Sequence, residues 1–153
     1  MSCRFWPALA LSLVCLAPPA QAQSTDTQTV LGPGLYVFQT RTLSATCNDD
    51  ERTGYVHTFI APIHGVPGDR RMRMQLTNSR HWPGWDIVVA QNGTITGDAA
   101  LDGNRNPTPN TPRNHFEVQP RRDRFVGTGV RTYRSEGRTC EVRFDALLRP
   151  MAE

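Results

Sequence analysis

The chain has 153 residues and a formal net charge of +3, from 17 basic side chains and 14 acidic ones. All 17 basic side chains are arginine and none is lysine, which is typical of the coding bias of a GC-rich bacterial genome. A charge so close to neutral argues against a dedicated nucleic-acid-binding protein, because phosphate contacts require a concentrated basic face.

The N-terminus has the pattern of a cleaved secretory signal peptide over residues 1–22. Arg4 supplies a positive charge, residues 8–17 are apolar, and residues 20–22 form a small-x-small cleavage site. The apolar stretch is shorter than the roughly 20 residues that cross a bilayer, so we expect cleavage rather than membrane anchoring. A lipoprotein signal that uses Cys15 is an alternative, which the large Val14 before it disfavours.

After cleavage about 130 residues remain, which suits one domain with a hydrophobic core. We expect a flexible N-terminal tail over residues 23–30 and a single domain over residues 31–150. No second apolar segment follows, so the exported protein is expected not to span a membrane. The Gram-negative periplasm is the favoured location, and full secretion is the alternative.

The domain is predicted to be all-β. Short runs rich in Val, Ile, Thr, Tyr and Phe are separated by Gly, Pro, Asn and Asp, the pattern of an antiparallel sandwich or barrel. Three prolines within residues 102–114 predict a long loop, because proline does not occupy a central strand. The predicted strands cover residues 34–47, 55–63, 71–77, 85–91, 94–101, 115–119, 124–134 and 138–148.

The hairpin around Asn92-Gly93 can be assigned a register. A two-residue loop would place apolar and polar residues on the same face of the two strands. A three-residue loop with Gly93 in the left-handed region instead pairs Val89 with Ile95 and keeps the apolar residues together. Because the buried face determines register, we predict the three-residue loop.

The C-terminal hairpin is predicted in the same way, with residues 135–137 (Ser-Glu-Gly) as a three-residue loop. That register pairs Thr132 with Cys140 and sets Arg131 beside Glu141 on the opposite face. The apolar residues of both strands, including Val126 and Val130, then share one face, which is predicted to be the core face. Cys140 is therefore expected to point into the core.

Two cysteines remain after the signal peptide, Cys47 and Cys140. In an oxidising compartment we expect them to form a disulfide, which would bring their Cα atoms within about 7 Å. The bridge would thus join the end of the first strand to the start of the last. These strands become neighbours when a meander closes, so a closed or partly open barrel of about eight strands is favoured over a sandwich.

The first strand opens with Gly34-Leu35-Tyr36, and Arg149 follows the last strand. This arrangement resembles small secreted barrels of the calycin type, such as lipocalins, which carry Gly-x-Trp there, and periplasmic metalloprotease inhibitors. The resemblance implies a meander barrel with one disulfide. It covers about ten residues and the architecture, with Tyr36 in place of the tryptophan, and it assigns no residue a role.

No cofactor, metal site or catalytic site is expected from the sequence, and the protein is predicted not to be an enzyme. The histidines lack H-x-x-x-H or H-x-H spacing, no G-x-S-x-G elbow occurs, and the disulfide accounts for both cysteines. The acidic run Asp49-Asp50-Glu51 is interpreted as a solvated turn. The loop that starts at Asp102 has Pro107 and Arg113 where a calcium loop needs glycine and a carboxylate.

The most distinctive local feature is residues 80–85, Arg-His-Trp-Pro-Gly-Trp. By strand parity Trp85 belongs to the core, whereas Trp82 is either a plug across the barrel end or an exposed recognition aromatic. Tryptophan beside arginine is common in binding surfaces, so Arg80, His81 and Trp82 are the candidate ligand-binding or partner-binding residues. A second candidate surface, for lipid phosphates or an acidic partner, consists of the arginines at 70, 71, 73, 121, 122 and 124.

These observations favour a non-catalytic exported binding protein. It would bind a small apolar ligand in its interior, or an envelope component or protein partner through its loops. A structural or assembly factor of the bacterial cell envelope is the second hypothesis, and a hydrolase with an unrecognised site is the third.

Overall fold

The computed structural model describes residues 30–47, 52–100 and 112–151. The predicted signal peptide, most of the predicted tail and the acidic run at 49–51 lie outside these residues. The described residues form eight antiparallel strands and no helix. The strands are β1 (Gly34–Ala45), β2 (Val56–His64), β3 (Arg71–Gln75), β4 (Gly84–Val89), β5 (Ile95–Ala100), β6 (Arg113–Arg121), β7 (Arg124–Ser135) and β8 (Arg138–Pro150).

The sheet is a closed barrel in which each strand pairs with the next and β8 pairs with β1. The closing register sets Phe38 opposite Leu148 and Thr40 opposite Ala146. The prediction of an eight-stranded meander that closes into a barrel is therefore confirmed over the sandwich. The described residues include no helix of the length and apolarity needed to span a bilayer.

The predicted disulfide between Cys47 and Cys140 is present at the β1–β8 junction. Its Cα atoms are 5.5 Å apart, and both residues are buried. The bridge joins the chain just after β1 to the start of β8, as the sequence predicted. A structural disulfide of this kind is compatible with an oxidising compartment.

The β4–β5 hairpin has the predicted three-residue loop. Val89 pairs with Ile95, and Gly93 has a φ of 82°, in the left-handed region. The Gly93 N–H donates to the carbonyl oxygen of Ala90 at 3.1 Å, which closes the turn. Trp85 is inward-facing and 1% exposed, so its prediction as a core residue is also confirmed.

The β7–β8 hairpin differs from its predicted register by one residue. Ser135 pairs with Arg138, so the loop contains only Glu136 and Gly137, with φ values of 49° and 77°. Positive φ at both central residues defines the two-residue hairpin turn whose twist matches that of the strands. The prediction of a three-residue loop is therefore wrong, and Cys140 pairs with Tyr133.

The shifted register reverses the two faces of β7. Gly129 lies opposite Phe144, and Arg131 lies opposite the buried Val142, so both point into the barrel. Val130, which the prediction assigned to the core, points outward. A glycine on the inner face leaves room for the Phe144 ring, because a Cβ at position 129 would overlap that ring. Cys140 stays inward because the inner face of β8 is unchanged.

The barrel interior is filled by side chains, as is usual for eight strands. Three aromatic rings meet at its centre: Phe38 and Phe116 have centroids 5.0 Å apart, and Trp85 and Phe116 have centroids 5.3 Å apart. All three residues are at most 1% exposed. The core thus leaves little space in the middle of the barrel.

The junction between β2 and β3 is the shortest in the barrel. Only Ile63–Met74 and His64–Arg73 pair, because β3 ends at Gln75. Beyond that point the β3–β4 connection contacts β2 directly: the Thr77 N–H donates to Ile60 O at 3.1 Å. One side of the barrel wall at this end is therefore formed by a loop instead of a strand.

The long loop predicted between the fifth and sixth strands is shorter than expected. Arg113 and Asn114 belong to β6 and pair with Ala100 and Ala99 of β5, so the loop prediction is wrong for these two residues. Residues 101–111 lie outside the described part of the chain.

Candidate functional site

A cleft of about 630 Å3 opens at the end of the barrel where β1, β3, β5 and β7 terminate. Three segments form it: the start of β2, the β3–β4 connection and the end of β7. Its described lining consists of His57, Phe59, Arg131, Tyr133, Arg134 and residues 78–82. The cleft therefore lies beside the short β2–β3 junction.

The β2 wall of the cleft is a row of aromatic rings that runs from the surface towards the core. The Tyr55 and His57 ring centroids are 4.7 Å apart, and the His57 and Phe59 rings lie at 5.9 Å with an interplanar angle of 9°. Phe59 in turn contacts the core ring of Phe38 at 6.4 Å. Alternate residues of one strand point to one face, so this row follows from strand periodicity. Only His57 and Phe59 of this row line the cleft, where their nearly parallel rings form an aromatic wall.

The three residues predicted as binding residues lie in the β3–β4 connection and come together at this cleft. Trp82 is 7% exposed and closes the barrel end, and its backbone N–H donates to Ser79 Oγ at 3.2 Å. The Trp82 carbonyl accepts the indole N–H of Trp85 at 3.0 Å, which fixes the loop to the core. Arg80 and His81 are exposed on the rim. Of the two roles considered for Trp82, the plug is the one observed, and ligand contact by the three residues stays a prediction.

The β7 wall contributes Arg131, Tyr133 and Arg134, which the sequence did not identify. The Arg131 guanidinium carbon lies 5.9 Å from the centroid of the Tyr133 ring, and Arg134 Nη2 donates to Gly137 O at 3.2 Å. The predicted register had turned Arg131 outward. Positive φ at Glu136 and Gly137 sets the correct register, and only the glycine gives a signal for that turn in the sequence.

The cleft is strongly basic. Arg80, Arg131 and Arg134 line it, and no carboxylate is among its described lining residues. Arg80 forms no ion pair with any residue in the described ranges. Arginines on the outer surface do have acidic partners there, such as Arg73 with Asp86 at 3.2 Å. An arginine such as Arg80, which has no acidic partner within the described ranges, favours binding of an anion.

Beneath the cleft lies a second, much smaller cavity of about 20 Å3. The two spaces share Phe59, Ser79, Trp82 and Arg131, so the small cavity adjoins the floor of the cleft. Its wall includes Asn114, which is 6% exposed and whose Oδ1 has no hydrogen-bond partner within the described residues. A volume of this size is enough for about one water molecule or one small polar group.

Other titratable groups give weaker candidate sites. His115 Nδ1 lies 2.8 Å from Asp98 Oδ1 on the exposed outer face. His115 also lines an open groove of about 470 Å3 along β6 and β7, where it is the only histidine among the described lining residues. Within the three described ranges, no group of three His, Cys, Asp or Glu side chains could hold a metal ion. The acidic run at 49–51 and residues 102–111, in the loop whose match to a calcium loop fails, lie outside the described residues.

The second predicted surface is divided between two parts of the fold. Arg121, Arg122 and Arg124 surround the β6–β7 turn at the barrel end opposite the cleft. Arg124 Nε donates to Asp123 Oδ1 at 3.0 Å, and this hydrogen bond lowers the pKa of the exposed Asp123 carboxyl. Because Asp123 partly neutralises this cluster, the cleft is the stronger candidate for anion binding.

No protein-family model matches the chain, and neither a curated protein nor a solved structure does.

Proposed function

We propose that the protein is a non-catalytic binding protein of the bacterial periplasm that holds a small organic anion with a flat apolar body. One observation carries this proposal: a cleft of about 630 Å3 has an aromatic wall, three arginines and no carboxylate in its described lining. The volume falls within the usual range for small-molecule sites, roughly 300–1,000 Å3. The disulfide and the signal-like N-terminus support export, and secretion beyond the periplasm is the alternative location.

Because side chains fill the barrel interior, we place the proposed ligand site at the end of the barrel and not in its middle. A carrier of apolar ligands would need several hundred Å3 of apolar space inside, whereas the cavity beneath the cleft has about 20 Å3. The ligand would therefore lie against the aromatic row, with its acidic group directed to the arginines.

A hydrolase is less well supported than a binding protein. The cleft contains Ser79, His57 and His81, but Ser79 Oγ accepts the backbone N–H of Trp82. Nucleophilic catalysis requires a hydroxyl bonded to a base, which is in turn oriented by a third group. Within the described residues, the only hydrogen bond of the Ser79 hydroxyl is the one that it accepts from Trp82, and it is not bonded to a base there.

A protein partner is the second candidate function, and the outer surface of β1 and β2 favours it. Leu35, Leu43, Val56 and Ile60 are each 42–47% exposed. Val37 and Ile60 are direct neighbours across the two strands, and so are Leu35 and Pro62. An envelope component or assembly partner could contact this face while the cleft stays open.

The proposed site can be tested with 2-naphthoate, a flat apolar carboxylate, by isothermal titration calorimetry. We expect Arg80→Ala to weaken binding about three- to tenfold, because a partly exposed charge-assisted hydrogen bond contributes on the order of 1 kcal/mol. Arg73→Ala removes an arginine from the outer face and should leave the affinity unchanged. Equal losses in the two variants, or equally tight binding of the uncharged methyl ester, would contradict an anion site in the cleft.

Native mass spectrometry of protein purified from the periplasm provides an independent test. A retained organic anion would add a small mass to the folded protein, and Arg80→Ala should reduce the fraction that carries it. Added mass of a size that only a second polypeptide has would instead favour the protein-partner function.

A further inference from the structure

We propose that the ligand also carries a hydrogen-bond donor, a hydroxyl or amino group, which enters the small cavity and bonds to Asn114 Oδ1. This inference rests on the proposed function, since it concerns the other end of the same ligand. It narrows the ligand class to flat organic acids with a hydroxyl or amino group remote from the acid. It also makes Asn114 a specificity-determining residue.

Asn114 is a polar residue at a buried position of the barrel interior. It lies on β6 between Ala99 and Arg131, on the inward face, and is 6% exposed. Its Oδ1 is fully buried and has no hydrogen-bond partner within residues 30–47, 52–100 and 112–151. Buried acceptors are nearly always satisfied, because leaving one without a donor is costly. Because Asn114 lines a small cavity, its buried acceptor without a partner is evidence for a donor that comes from outside the protein.

The cavity next to Asn114 is matched to a single small group. Its volume of about 20 Å3 admits a hydroxyl, an amino group or one water, but not a second ring. The remaining wall is mostly apolar, with Phe38, Trp85 and Phe144 among its residues, and Thr40, Ser79 and Arg131 are its other polar residues. Among the described residues that line this cavity, only Asn114 has a buried acceptor without a partner. Asn114 can thus accept a hydrogen bond from the one polar group that fits in this space.

The two ends of the site select different parts of one ligand. Arg80 and Arg134 line only the open cleft and Asn114 lines only the small cavity, whereas Arg131 lines both spaces. Arg80 is exposed on the rim and Asn114 is buried, so an elongated flat acid whose carboxylate contacts Arg80 reaches Asn114 with a donor at its opposite end. A ligand with a bulky or purely accepting group at that end would leave Asn114 unsatisfied, which is the basis of strong discrimination in polar sites.

Three naphthoates that differ at one position test this inference. We expect 6-hydroxy-2-naphthoate to bind the wild-type protein about tenfold more tightly than 2-naphthoate, measured by calorimetry. 6-Methoxy-2-naphthoate carries an oxygen at the same position but cannot donate a hydrogen bond and is larger, so it should bind no better than 2-naphthoate. These comparisons use only wild-type protein and do not depend on how any variant folds.

Two variants then assign the preference to Asn114. Asn114→Leu removes the acceptor with little change in volume. We expect this variant to bind 6-hydroxy-2-naphthoate and 2-naphthoate with about equal affinity. Asn114→Asp keeps an acceptor and should retain the preference, even if its charge weakens both ligands equally. The ratio of the two affinities within each variant is the quantity that decides.

The outcomes separate this inference from the proposed function. If all three naphthoates bind the wild-type protein equally, a water alone satisfies Asn114, and the inference is overturned while the anion cleft stands. A hydroxyl preference that persists in Asn114→Leu also overturns it, since another group must then accept the bond. If none of the naphthoates binds, the proposed function fails and this inference fails with it.

Discussion

Two glycines of the barrel interior each lie under an aromatic ring of the neighbouring strand. Gly97 pairs with Phe116, and Gly129 pairs with Phe144. A Cβ atom at either position would overlap the ring, and at position 129 it would also overlap the backbone oxygen of His115. Each glycine therefore acts as a space that the ring fills, which is a known way to accommodate glycine in a sheet.

At the residue scale, we predict that Gly129→Ala lowers the free energy of unfolding by about 1–3 kcal/mol, because overpacking forces ring and backbone to move. Urea unfolding monitored by tryptophan fluorescence measures this change. Gly32→Ala is the matched control: a Cβ there has no atom within 4 Å, so we expect a change below about 0.5 kcal/mol. Equal stability of the two variants would show that Phe144 has room to move aside.

These glycines also explain why the β7 wall of the site could not be predicted. A glycine carries no hydrophobic signal, so the alternation of β7 appeared to place Val126 and Val130 in the core. The true inner face contains Gly127, Gly129 and Arg131. Sequence periodicity identifies a face only where side chains differ in polarity, and glycine removes that information.

At the scale of elements, the two hairpins with similar turn sequences have different loops. Asn92-Gly93 adopts the predicted three-residue loop, in which only Gly93 has positive φ. In the β7–β8 turn Glu136 also has positive φ, which is uncommon for glutamate. The first loop was predictable because apolar residues on both strands agreed on one register. The second was not, because glutamate gives no signal for that conformation.

We predict that Glu136→Asn stabilises the β7–β8 hairpin by about 0.5–1 kcal/mol, because asparagine tolerates positive φ far better than glutamate. The exposed contact between Glu136 and Arg138, at 3.4 Å, contributes little and offsets only a small part of this gain. Thermal unfolding gives the readout. Ser135→Asn places the same residue one position earlier, within β7, and should give no gain; a gain there and none at 136 would contradict the assigned turn.

At the scale of the whole molecule, closure of the barrel was predictable from the sequence, whereas the position of the cleft was not. Two cysteines and a meander of short strands were enough to favour a barrel with its ends joined at Cys47 and Cys140. The cleft, by contrast, combines β2, the β3–β4 connection and β7, and no motif in the sequence links the three. Residues 80–82 were predicted as binding residues because they are distinctive locally, and that role stays a prediction. Asn114 and Arg131 become candidates only once the strands are in register.

The disulfide is predicted to be a major source of stability for the closed barrel. In the chain-entropy treatment, a bridge between residues 93 positions apart stabilises the folded state by about 4–5 kcal/mol. The double variant Cys47→Ala/Cys140→Ala should therefore unfold at a much lower urea concentration. Reductant should destabilise the wild-type protein to a similar extent and leave the double variant unchanged; a loss below about 1 kcal/mol would mean that strand pairing alone closes the barrel.

The junction of β1 with β8 also determines the order in which the protein can assemble. Every other pair of neighbouring strands is consecutive along the chain, so those pairs form from local contacts. Only β1 and β8 must meet across nearly the full length of the domain, at the largest cost in chain entropy. Cys140 is 0% exposed in the finished barrel, beyond the reach of an oxidant. We therefore expect its thiol to be oxidised in an intermediate that is still open, which makes the timing of oxidation part of how this fold is reached.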